Sequence, residues 1–323
     1  MSEMKYRRLG ASGVKVSEVC LGSWLTYGNT TENETAEACI DRAYELGINF
    51  FDTANGYARG KSEEVVGKSL QKFSRDTYVV ATKVFFPMSD SKMPNNRGLS
   101  RKHIREQCDA SLKRLGLDYI DLYQCHRYDN ETPLEETLRA LDDLTSQGKV
   151  LYTGVSMWSA DQLVDAVRIQ DKLNLDRLVS NQPYYNLIGR DIEGAVIPVS
   201  EREGIGQIVY SPLAQGVLTG KYKPGQTVSA DTRAGDPRQN QFMGVKEGKL
   251  DDALLTKVEK LRPIAEGLGL SMAQLALAWC LRQPNVSSVI IGASRPEQVD
   301  DNAGASGITL SEETLSAIDA AVA

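Results

Sequence analysis

The sequence predicts an α/β protein, and more specifically a (β/α)8 TIM barrel. Short runs rich in β-branched and aromatic residues alternate with longer segments of helical period, which is the pattern of repeated βα units around a parallel sheet. About eight such runs occur, which is the number of strands in a closed barrel. The 323 residues are 41% hydrophobic and 25% charged, so a large core can form without disulfides or a metal.

A β-hairpin is predicted before the barrel, over residues 6–16, with its turn at Gly10-Ala11-Ser12-Gly13; it would plug the bottom of the barrel. The eight predicted strands are residues 19–21, 49–52, 78–82, 120–125, 152–156, 178–181, 208–210 and 288–291. Amphipathic helices fill most of the gaps, among them residues 34–46, 102–115, 134–147, 160–170 and 272–282. Several of these helices end at a glycine, as helices commonly do.

Two long stretches interrupt the βα alternation, residues 87–98 and residues 213–248. Both leave the C-terminal ends of strands, where long loops of a compact domain are usually either functional or disordered. They are interpreted as a lid over the site, and the alternative is a solvated, mobile insertion. No linker or internal repeat divides the chain, so residues 1–323 are predicted to form a single domain.

Charge and composition disfavour several classes of partner. The net charge of -6 and a pI near 5.2 provide no basic surface for nucleic acid or for an anionic membrane. Residues 1–10 lack the apolar core of a signal peptide, and no run approaches the roughly 18 apolar residues of a spanning helix, so a cytoplasmic protein without membrane insertion is expected. The five cysteines have neither C-x-x-C nor zinc-type spacing and are expected to be free, mostly buried thiols.

Four polar residues follow three neighbouring predicted strands and indicate one reaction site. Asp52, Lys83 and His126 each stand where an apolar run gives way to a polar segment, and Tyr57 lies five residues after Asp52. A barrel brings the carboxyl ends of its strands to one rim, which is where the active sites of such barrels lie. The four side chains are therefore expected to meet.

These residue types suit the transfer of a proton to a carbonyl oxygen. A free tyrosine has a pKa of about 10, and the Lys83 ammonium is expected to lower the pKa of Tyr57 by stabilising its phenolate. Asp52 would keep Lys83 charged, and His126 would orient or polarise the oxygen. Taken singly, each residue has a simpler interpretation: a cap, loop packing, a solvated end and a satisfied polar group.

Other chemistries lack their motifs. Two histidines without H-x-H or H-E-x-x-H spacing predict no metal site. There is no G-x-S-x-G elbow for a nucleophile and no strand-linked G-x-G-x-x-G for a Rossmann fold. A dinucleotide would have to bind in another way.

Residues 51–57, which read FDTANGY, together with Thr82-Lys83 and Cys125-His126, resemble the active-site tetrad of the aldo-keto reductases. The resemblance spans nearly the whole chain and continues through residues 154–158, 181–182, 210–216, 220–222 and 290–298. Residues 274–282 and the Ser156-Met157-Trp158 segment are most similar to the branch that contains the potassium-channel β-subunits.

The resemblance implies a barrel that binds NADPH across its C-terminal rim and reduces aldehydes or ketones reversibly. Tyr57 would protonate the substrate oxygen, Lys83 and Asp52 would tune Tyr57, and His126 would position the oxygen. Ser156 and Gln182 would hold the carboxamide, and Tyr210 would stack on the nicotinamide. The full set of implied cofactor-binding residues is Gly22, Ser23, Trp24, Asp52, Ser156, Gln182, Tyr210, Ser211, Pro212, Leu213, Gly216, Lys221, Arg233, Gly292, Ser294, Arg295, Gln298 and Asn302.

The Ser294 segment also has a physical interpretation. Ser294 and Glu297 have the spacing of a capping box, and a helix N-terminus attracts anions; a plain helix cap is the alternative. Within the family context, Arg295 favours a 2′-phosphate and hence NADP(H) over NAD(H), and the use of both cofactors is the alternative.

Six aromatic residues are candidates for a wall near the carbonyl: Trp24, Tyr27, Phe85, Phe86, Tyr128 and Trp158. Such a wall would suit an apolar or aromatic aldehyde better than a charged sugar phosphate, and simple packing is the alternative.

Three functions remain open at this stage: a small-molecule carbonyl reductase, a redox-sensing subunit that docks on a membrane channel, and a barrel that has lost its chemistry. His126 favours catalysis, because the channel subunits usually have asparagine there. Met157 departs from the asparagine of many reductases and leaves Ser156 and Gln182 as the expected carboxamide contacts. A homo-oligomer is compatible with the resemblance, since channel-type relatives suggest tetramers and ordinary reductases suggest monomers.

Overall fold

The structure is a computed structural model and describes residues 3–29 and 31–323. Residues 1, 2 and 30, which belong to the predicted domain, lie outside the described residues. Eight parallel strands close into a barrel, and the last strand pairs with both the first and the seventh. In chain order these strands are β3 (Val19–Gly22), β4 (Phe50–Asp52), β5 (Val79–Val84), β6 (Ile120–Cys125), β7 (Val150–Ser156), β8 (Ser180–Gln182), β9 (Gly206–Tyr210) and β10 (Val286–Gly292). The predicted fold class is confirmed.

Eleven α-helices occur within the described residues, and most of them connect one barrel strand to the next. They are α1 (Asn33–Glu45), α2 (Lys61–Leu70), α3 (Arg101–Leu115), α4 (Leu134–Ser146), α5 (Ala160–Leu173), α6 (Val196–Glu203), α7 (Asp252–Glu259), α8 (Arg262–Gly267), α9 (Met272–Leu281), α10 (Pro296–Ala303) and α11 (Glu312–Val322).

Local signals in the sequence explain where several helices begin and end. Ser100 accepts a hydrogen bond from the amide of His103 at the start of α3, and Ser271 forms a capping box with Gln274 at the start of α9. Gly116 ends α3 with a φ of 65°, a left-handed conformation that glycine adopts at little cost.

The N-terminal hairpin consists of β1 (Tyr6–Arg8) and β2 (Lys15–Ser17), which pair antiparallel. Its buried Leu9 and Val16 pack against residues inside the barrel, including Phe50, Leu122 and Ile208. The amide of Ala11 donates to the carbonyl of Gly204, just before β9 begins, so the hairpin lies against the N-terminal ends of the strands. The prediction that it plugs the bottom of the barrel is confirmed.

All five cysteines, Cys20, Cys39, Cys108, Cys125 and Cys280, are buried and free, as predicted. Burial raises the pKa of the Cys108 thiol to about 12. Burial likewise raises the pKa of Cys20 and Cys125, which lie on barrel strands β3 and β6.

Over the residues that the structure describes, no single helix has the length and apolar character needed to cross a membrane. One bent pair, Asp252–Gly267 with Met272–Leu281, meets the criterion jointly by length and composition, with a 90° angle between its two parts.

Candidate active site

A cavity of about 1260 Å³ lies at the C-terminal ends of the barrel strands. Residues that end β3, β4, β7 and β8, namely Gly22, Asp52, Ser156 and Gln182, lie on its wall. Tyr57 and His126 line the same cavity. The rim predicted from the order of the strands therefore brings the polar strand ends together around one space.

Lys83 lies beneath this cavity, is completely buried, and connects the other members of the cluster. Its Nζ donates to Asp52 Oδ1 at 2.6 Å, to the carbonyl oxygen of Thr53 at 2.8 Å and to the Tyr57 hydroxyl at 3.4 Å. Three acceptors satisfy the three donors of an ammonium group. The contact that the sequence predicted between Tyr57, Lys83 and Asp52 is present.

A tight turn directs Tyr57 into the cavity. The amide of Tyr57 donates to the carbonyl of Ala54 at 3.1 Å, and the next two residues, Ala58 and Arg59, have φ values of 46° and 53°. Gly60 follows with a φ of 90°, and a Cβ there would lie 2.5 Å from Arg114 Cδ. Left-handed backbone at residues other than glycine is strained, and such strain is often found at functional sites.

Asp52 is held by two amides as well as by Lys83. Its Oδ2 accepts from Gln182 Nε2 at 3.0 Å and from Gln124 Nε2 at 3.4 Å. Sequence reasoning missed Gln124, although a polar residue on a strand buried along its whole length was a usable signal. The register of β5 and β6 places Gln124 directly opposite Lys83.

Burial has the largest effect on the pKa of Tyr57. Desolvation raises the pKa of Tyr57 above its usual value of 10.0, and the opposing effect of Lys83 only partly offsets it. Lys83 does lower the pKa of Tyr57, as expected, but burial outweighs it and the net shift is upward. Burial by itself would lower the pKa of Lys83, but Asp52 and Tyr57 raise it above 10.5, so Lys83 is charged and Tyr57 is a neutral phenol at neutral pH.

His126 is neutral at physiological pH. Burial, Lys83 and Arg127 together hold its pKa well below 6.5. The His126 ring packs edge to face against two other rings. The distance between ring centres is 5.6 Å to Tyr57 and 5.0 Å to Phe86. Nδ1 of His126 is buried and has no hydrogen-bond partner within the described structure. A neutral imidazole keeps both a donor and an acceptor available.

All but one of the predicted cofactor residues lie on the cavity wall. They are Gly22, Trp24, Asp52, Ser156, Gln182, Tyr210, Ser211, Pro212, Leu213, Gly216, Lys221, Arg233, Gly292, Ser294, Arg295, Gln298 and Asn302. Ser23 does not line the cavity. It is buried, its hydroxyl donates to the carbonyl of Asp52 at 3.1 Å, and it accepts a hydrogen bond from the Ser62 hydroxyl at 2.7 Å. The predicted cofactor contact of Ser23 is therefore wrong, because its side chain points into a buried hydroxyl network.

Hydrogen bonds connect the residues of β7, β8 and β9 at the rim. The Ser156 hydroxyl donates to the carbonyl of Gln182 at 2.9 Å, and the Tyr210 hydroxyl donates to Met157 Sδ at 3.4 Å. Met157 has a φ of 60° and is 44% exposed. These contacts hold Ser156, Gln182 and Tyr210 in one section of the wall.

Two cations of the wall, Lys221 and Arg233, have no ion-pair partner in residues 3–29 and 31–323. The guanidinium of Arg233 lies 5.2 Å from the centre of the Trp24 ring and donates to Gln215 Oε1 at 3.1 Å. Burial lowers the pKa of Arg233 to about 10. Arg233 is half-buried, and a partly desolvated cation without a carboxylate is unfavourable and would be stabilised by an anionic ligand.

The predicted capping box at Ser294 is wrong. Helix α10 begins at Pro296 with Arg295 as its N-cap, so Ser294 lies one residue too early to cap it. The amide of Ser294 donates to Gln298 Oε1 at 2.8 Å, and Glu297 Oε2 lies 3.8 Å from Arg295 Nε. The cause is Pro296, because proline is favoured in the first turn of a helix and sets where that turn begins.

The aromatic wall was only partly predicted. Trp24 and Phe86 line the cavity, whereas Tyr27, Phe85, Tyr128 and Trp158 do not. Tyr27 and Trp158 are 1% and 2% exposed, and Tyr128 packs edge to face on Trp158 at 4.8 Å. The alternative interpretation, simple packing, is correct for these four residues.

Only one of the two long loops covers the cavity. Residues 213–248 contribute Arg233, Gln239 and Phe242 to the wall, and the Phe242 ring lies 6.0 Å from the Trp24 ring. Residues 87–98 do not line the cavity, so their predicted role as a lid is wrong. Sequence reasoning did not single out Phe242 or the cavity-lining Arg127, and neither has a motif that would have indicated it.

A parallel barrel whose rim holds a buried lysine, a carboxylate and a tyrosine defines a class of barrel oxidoreductase. The family model described as "Aldo/keto reductase family" matches residues 18–323, and the chain belongs to this family. Members of the family generally bind NADP(H).

Three relatives are similar to nearly the whole chain. A "Probable voltage-gated potassium channel subunit beta" of Arabidopsis thaliana is 42% identical over 93% of this chain and 90% of the relative. A protein of the same description from Oryza sativa subsp. japonica is 41% identical over 99% and 97%. A "Putative voltage-gated potassium channel subunit beta" of Schizosaccharomyces pombe is 44% identical over 92% and 86%. The resemblance to the channel-subunit branch is confirmed.

Proposed function

We propose that this protein reduces aldehydes or ketones to alcohols with NADPH, in a reversible reaction that uses Tyr57 as the acid. The observation that supports the proposal is the contact of buried Lys83 with both Asp52 and Tyr57 beneath the cavity. A charged lysine next to a tyrosine that faces a cavity can stabilise a phenolate after the proton has left.

The residues of the cavity fit a negatively charged dinucleotide. Lys221 and Arg233 line it without an ion-pair partner in the described part of the chain. Gly216 lines the same cavity and has a φ of 96°. A Cβ at Gly216 would lie 3.3 Å from Lys221 Nζ, so the glycine leaves space beside this cation. The pyrophosphate would be held by Lys221 and Arg233.

The other proposed cofactor contacts are assigned to residues that lie along the cavity wall. Ser156 and Gln182 would hold the carboxamide, and Tyr210 would stack on the nicotinamide. Ser294, Arg295, Gln298 and Asn302 would contact the adenosine end, and the largely exposed Arg295 would favour the 2′-phosphate of NADP(H). When bound, the reduced cofactor would supply a hydride to the carbonyl carbon.

The protein's own residues would handle the proton. The neutral Tyr57 hydroxyl would give its proton to the substrate oxygen, and the Lys83 ammonium would stabilise the phenolate that remains. Asp52 would keep Lys83 charged and fixed in direction. The neutral His126 would orient the oxygen by a hydrogen bond, and in the reverse direction the Tyr57 phenolate would accept the proton.

The test is the loss of NADPH absorbance with a panel of aldehydes, for the wild type and for Tyr57→Phe, repeated with NADH. Loss of a general acid lowers turnover by roughly a hundredfold to ten-thousandfold, and the variant is expected to fall in this range. Tyr44→Phe is the matched control, because the Tyr44 hydroxyl contacts Thr77 outside the cavity. Equal turnover in wild type and Tyr57→Phe would refute the assignment.

A second candidate is a redox-sensing regulatory subunit that turns over slowly. The observation in its favour is the printed description of the three relatives as channel β-subunits. Tight NADPH binding with negligible turnover across the aldehyde panel would favour this candidate, and co-purification with a membrane protein would then be the next measurement.

Two further properties remain proposals. A homo-oligomer is proposed from the resemblance to the channel-subunit branch, and light scattering at several protein concentrations would test it. A single species with the mass of one chain would reject the oligomer.

A cytoplasmic location is proposed from the sequence, and cell fractionation would test that.

A further inference from the structure

Arg127 is a half-buried residue of the cavity wall to which neither the catalytic cluster nor the cofactor site assigns a role. It directly follows His126, and its NH1 donates to the carbonyl oxygen of His126 at 2.6 Å. Its guanidinium carbon lies 5.7 Å from the centre of the Phe86 ring, which itself lies 5.0 Å from the His126 ring. Arg127 is therefore anchored next to the residues that face the reacting oxygen.

The other donors of the Arg127 guanidinium have no hydrogen-bond partner within the described residues. In the portion of the chain that the structure describes, Arg127 has no ion pair and no hydrogen bond other than the one to His126. An arginine presents five donors in a planar fork that matches a carboxylate, and only one donor is used here. The positive charge of Arg127 also lowers the pKa of Tyr57, His126 and Tyr210, which agrees with its place at the reacting end of the cavity.

The cofactor phosphates have other cations available. Lys221 and Arg233 belong to the loop over the cavity, where Arg233 packs on Trp24 and bonds Gln215. Arg127 instead packs on Phe86, which follows β5, and it directly follows His126 after the end of β6. The cations proposed to hold the pyrophosphate, Lys221 and Arg233, therefore lie on a different segment of the wall from Arg127, which lies next to His126.

We propose that Arg127 is a specificity-determining residue that binds a carboxylate of the substrate, so that the preferred substrates are small carbonyl compounds carrying a carboxylate. This inference rests on the proposed reductase function and names its substrate class. It changes the expectation of a purely apolar aldehyde, because Phe86 and Trp24 provide an apolar surface beside a cation rather than an apolar pocket alone.

The experiment compares 4-carboxybenzaldehyde with its methyl ester, which has the same ring and carbonyl without the charge. The wild type is expected to favour the carboxylate in kcat/KM by about tenfold to a hundredfold, the range for hydrogen bonds to charged groups. Arg127→Gln should bring this ratio close to one, mainly by raising KM for the carboxylate. Arg127→Lys should recover part of the preference, because it restores the charge without the fork.

Arg97→Gln is the matched control. The Arg97 guanidinium lies 5.5 Å from the Phe85 ring, next to Phe86 in sequence, but Arg97 does not line the cavity. Its substitution should leave the preference for the carboxylate unchanged. An equal loss in Arg97→Gln and Arg127→Gln, or an Arg127→Gln variant whose only change is in KM for NADPH, would overturn the proposal.

The outcomes separate this inference from the reductase proposal. Turnover of the ester without any preference for the carboxylate overturns the role of Arg127 and leaves the reductase standing. No turnover of either aldehyde rejects the reductase, and calorimetric titration with benzoate and with neutral benzamide then decides the role of Arg127. Benzoate binding that is lost in Arg127→Gln supports the carboxylate site, and equally weak binding of both probes overturns it.

Discussion

Arginines at the two ends of the barrel show how differently these ends are built. At the N-terminal end, Arg7 donates to Glu18 at 2.8 Å and to three backbone carbonyls, those of Leu281, Gln283 and Val286. At the C-terminal end, Arg127 and Arg233 have no carboxylate partner among the residues described. Arg7 at the bottom of the barrel is paired inside the fold, whereas Arg127 and Arg233 at the rim have no carboxylate partner within the described residues.

This difference separates stability from function within one fold. A satisfied pair such as Arg7 and Glu18 locks the hairpin onto the barrel, and breaking such a pair is costly. Unpaired cations at a rim contribute little to stability and can bind a ligand's negative charge. Substitutions at the two ends should therefore change different measured quantities.

The largest effect is expected for Lys83→Met. The change removes the ammonium that contacts Asp52 and Tyr57, so turnover should fall by roughly a hundredfold to ten-thousandfold. It also leaves the Asp52 carboxylate buried without its counterion, which should lower the free energy of unfolding by about 3–5 kcal/mol. Steady-state kinetics and urea unfolding measure the two effects.

The double variant Lys83→Met with Asp52→Asn tests the physical reason. Removing the isolated carboxylate should restore a large part of the lost stability, since no uncompensated charge remains. Turnover should stay low, because the lysine is still absent. Recovery of turnover in the double variant would contradict the role given to Lys83.

At the bottom of the barrel, Arg7→Ala should act in the opposite way. The free energy of unfolding should fall by about 3 kcal/mol, because the variant breaks the pair with the buried Glu18. The kcat of the proposed reaction should be retained in the folded protein. Arg8→Ala is the control: Arg8 is exposed on the same strand, and its loss should change stability by less than about 0.5 kcal/mol. Equal destabilisation by both variants would remove the distinction between the two ends.

For Arg233→Ala at the rim, the expected change is in cofactor affinity. NADPH binding, measured by calorimetry or by the shift in Tm, should weaken by roughly tenfold to a hundredfold, while the free protein loses little stability. Arg238→Ala is the control, because Arg238 lines the same cavity but is paired with Asp236 at 2.8 Å. An unchanged NADPH affinity in Arg233→Ala would show that the unpaired charge serves another purpose.

The smallest effect concerns acid stability. The pKa of His126 in the folded chain lies well below 6.5, so below pH 6.5 the unfolded chain takes up a proton that the folded chain does not. The free energy of unfolding should therefore fall as the pH drops below 6.5, and His126 contributes no such dependence above it. His126→Gln should reduce the acid sensitivity.

His103→Gln is the comparison for that experiment, since burial also lowers the pKa of His103, which lies on α3 and does not line the cavity. This variant should retain the part of the acid sensitivity that is due to His126. Identical acid unfolding curves for wild type and His126→Gln would contradict the burial argument.

The barrel and most of its rim could be predicted from the sequence because both follow from local patterns. Alternating strand and helix periods determine the architecture, and a polar residue at the end of each of several strands must then face one rim. Asp52, Lys83 and His126 were found in this way, and Tyr57 follows Asp52 closely enough to share its loop. Most cofactor residues came from the family resemblance.

The failures share a different origin, since each depends on the direction of a side chain or on a choice between neighbouring positions. Ser23 follows a strand but points into a hydroxyl network, and Tyr27 follows the same strand but packs in the core. Helix α10 begins at Pro296, so that Arg295 and not Ser294 is its N-cap. The net rise in the pKa of Tyr57 required knowledge of its burial, which no sequence pattern supplied.

The five buried cysteines have a practical consequence. A thiol reacts as its thiolate, and burial with a raised pKa suppresses that form, so a thiol-specific dye should label the folded chain slowly. Cys20 and Cys125 lie on strands of the barrel itself, and neither can meet a dye unless the strands part from their neighbours. The rate at which Cys20 and Cys125 are labelled therefore reports how often the barrel strands separate, without an engineered cysteine.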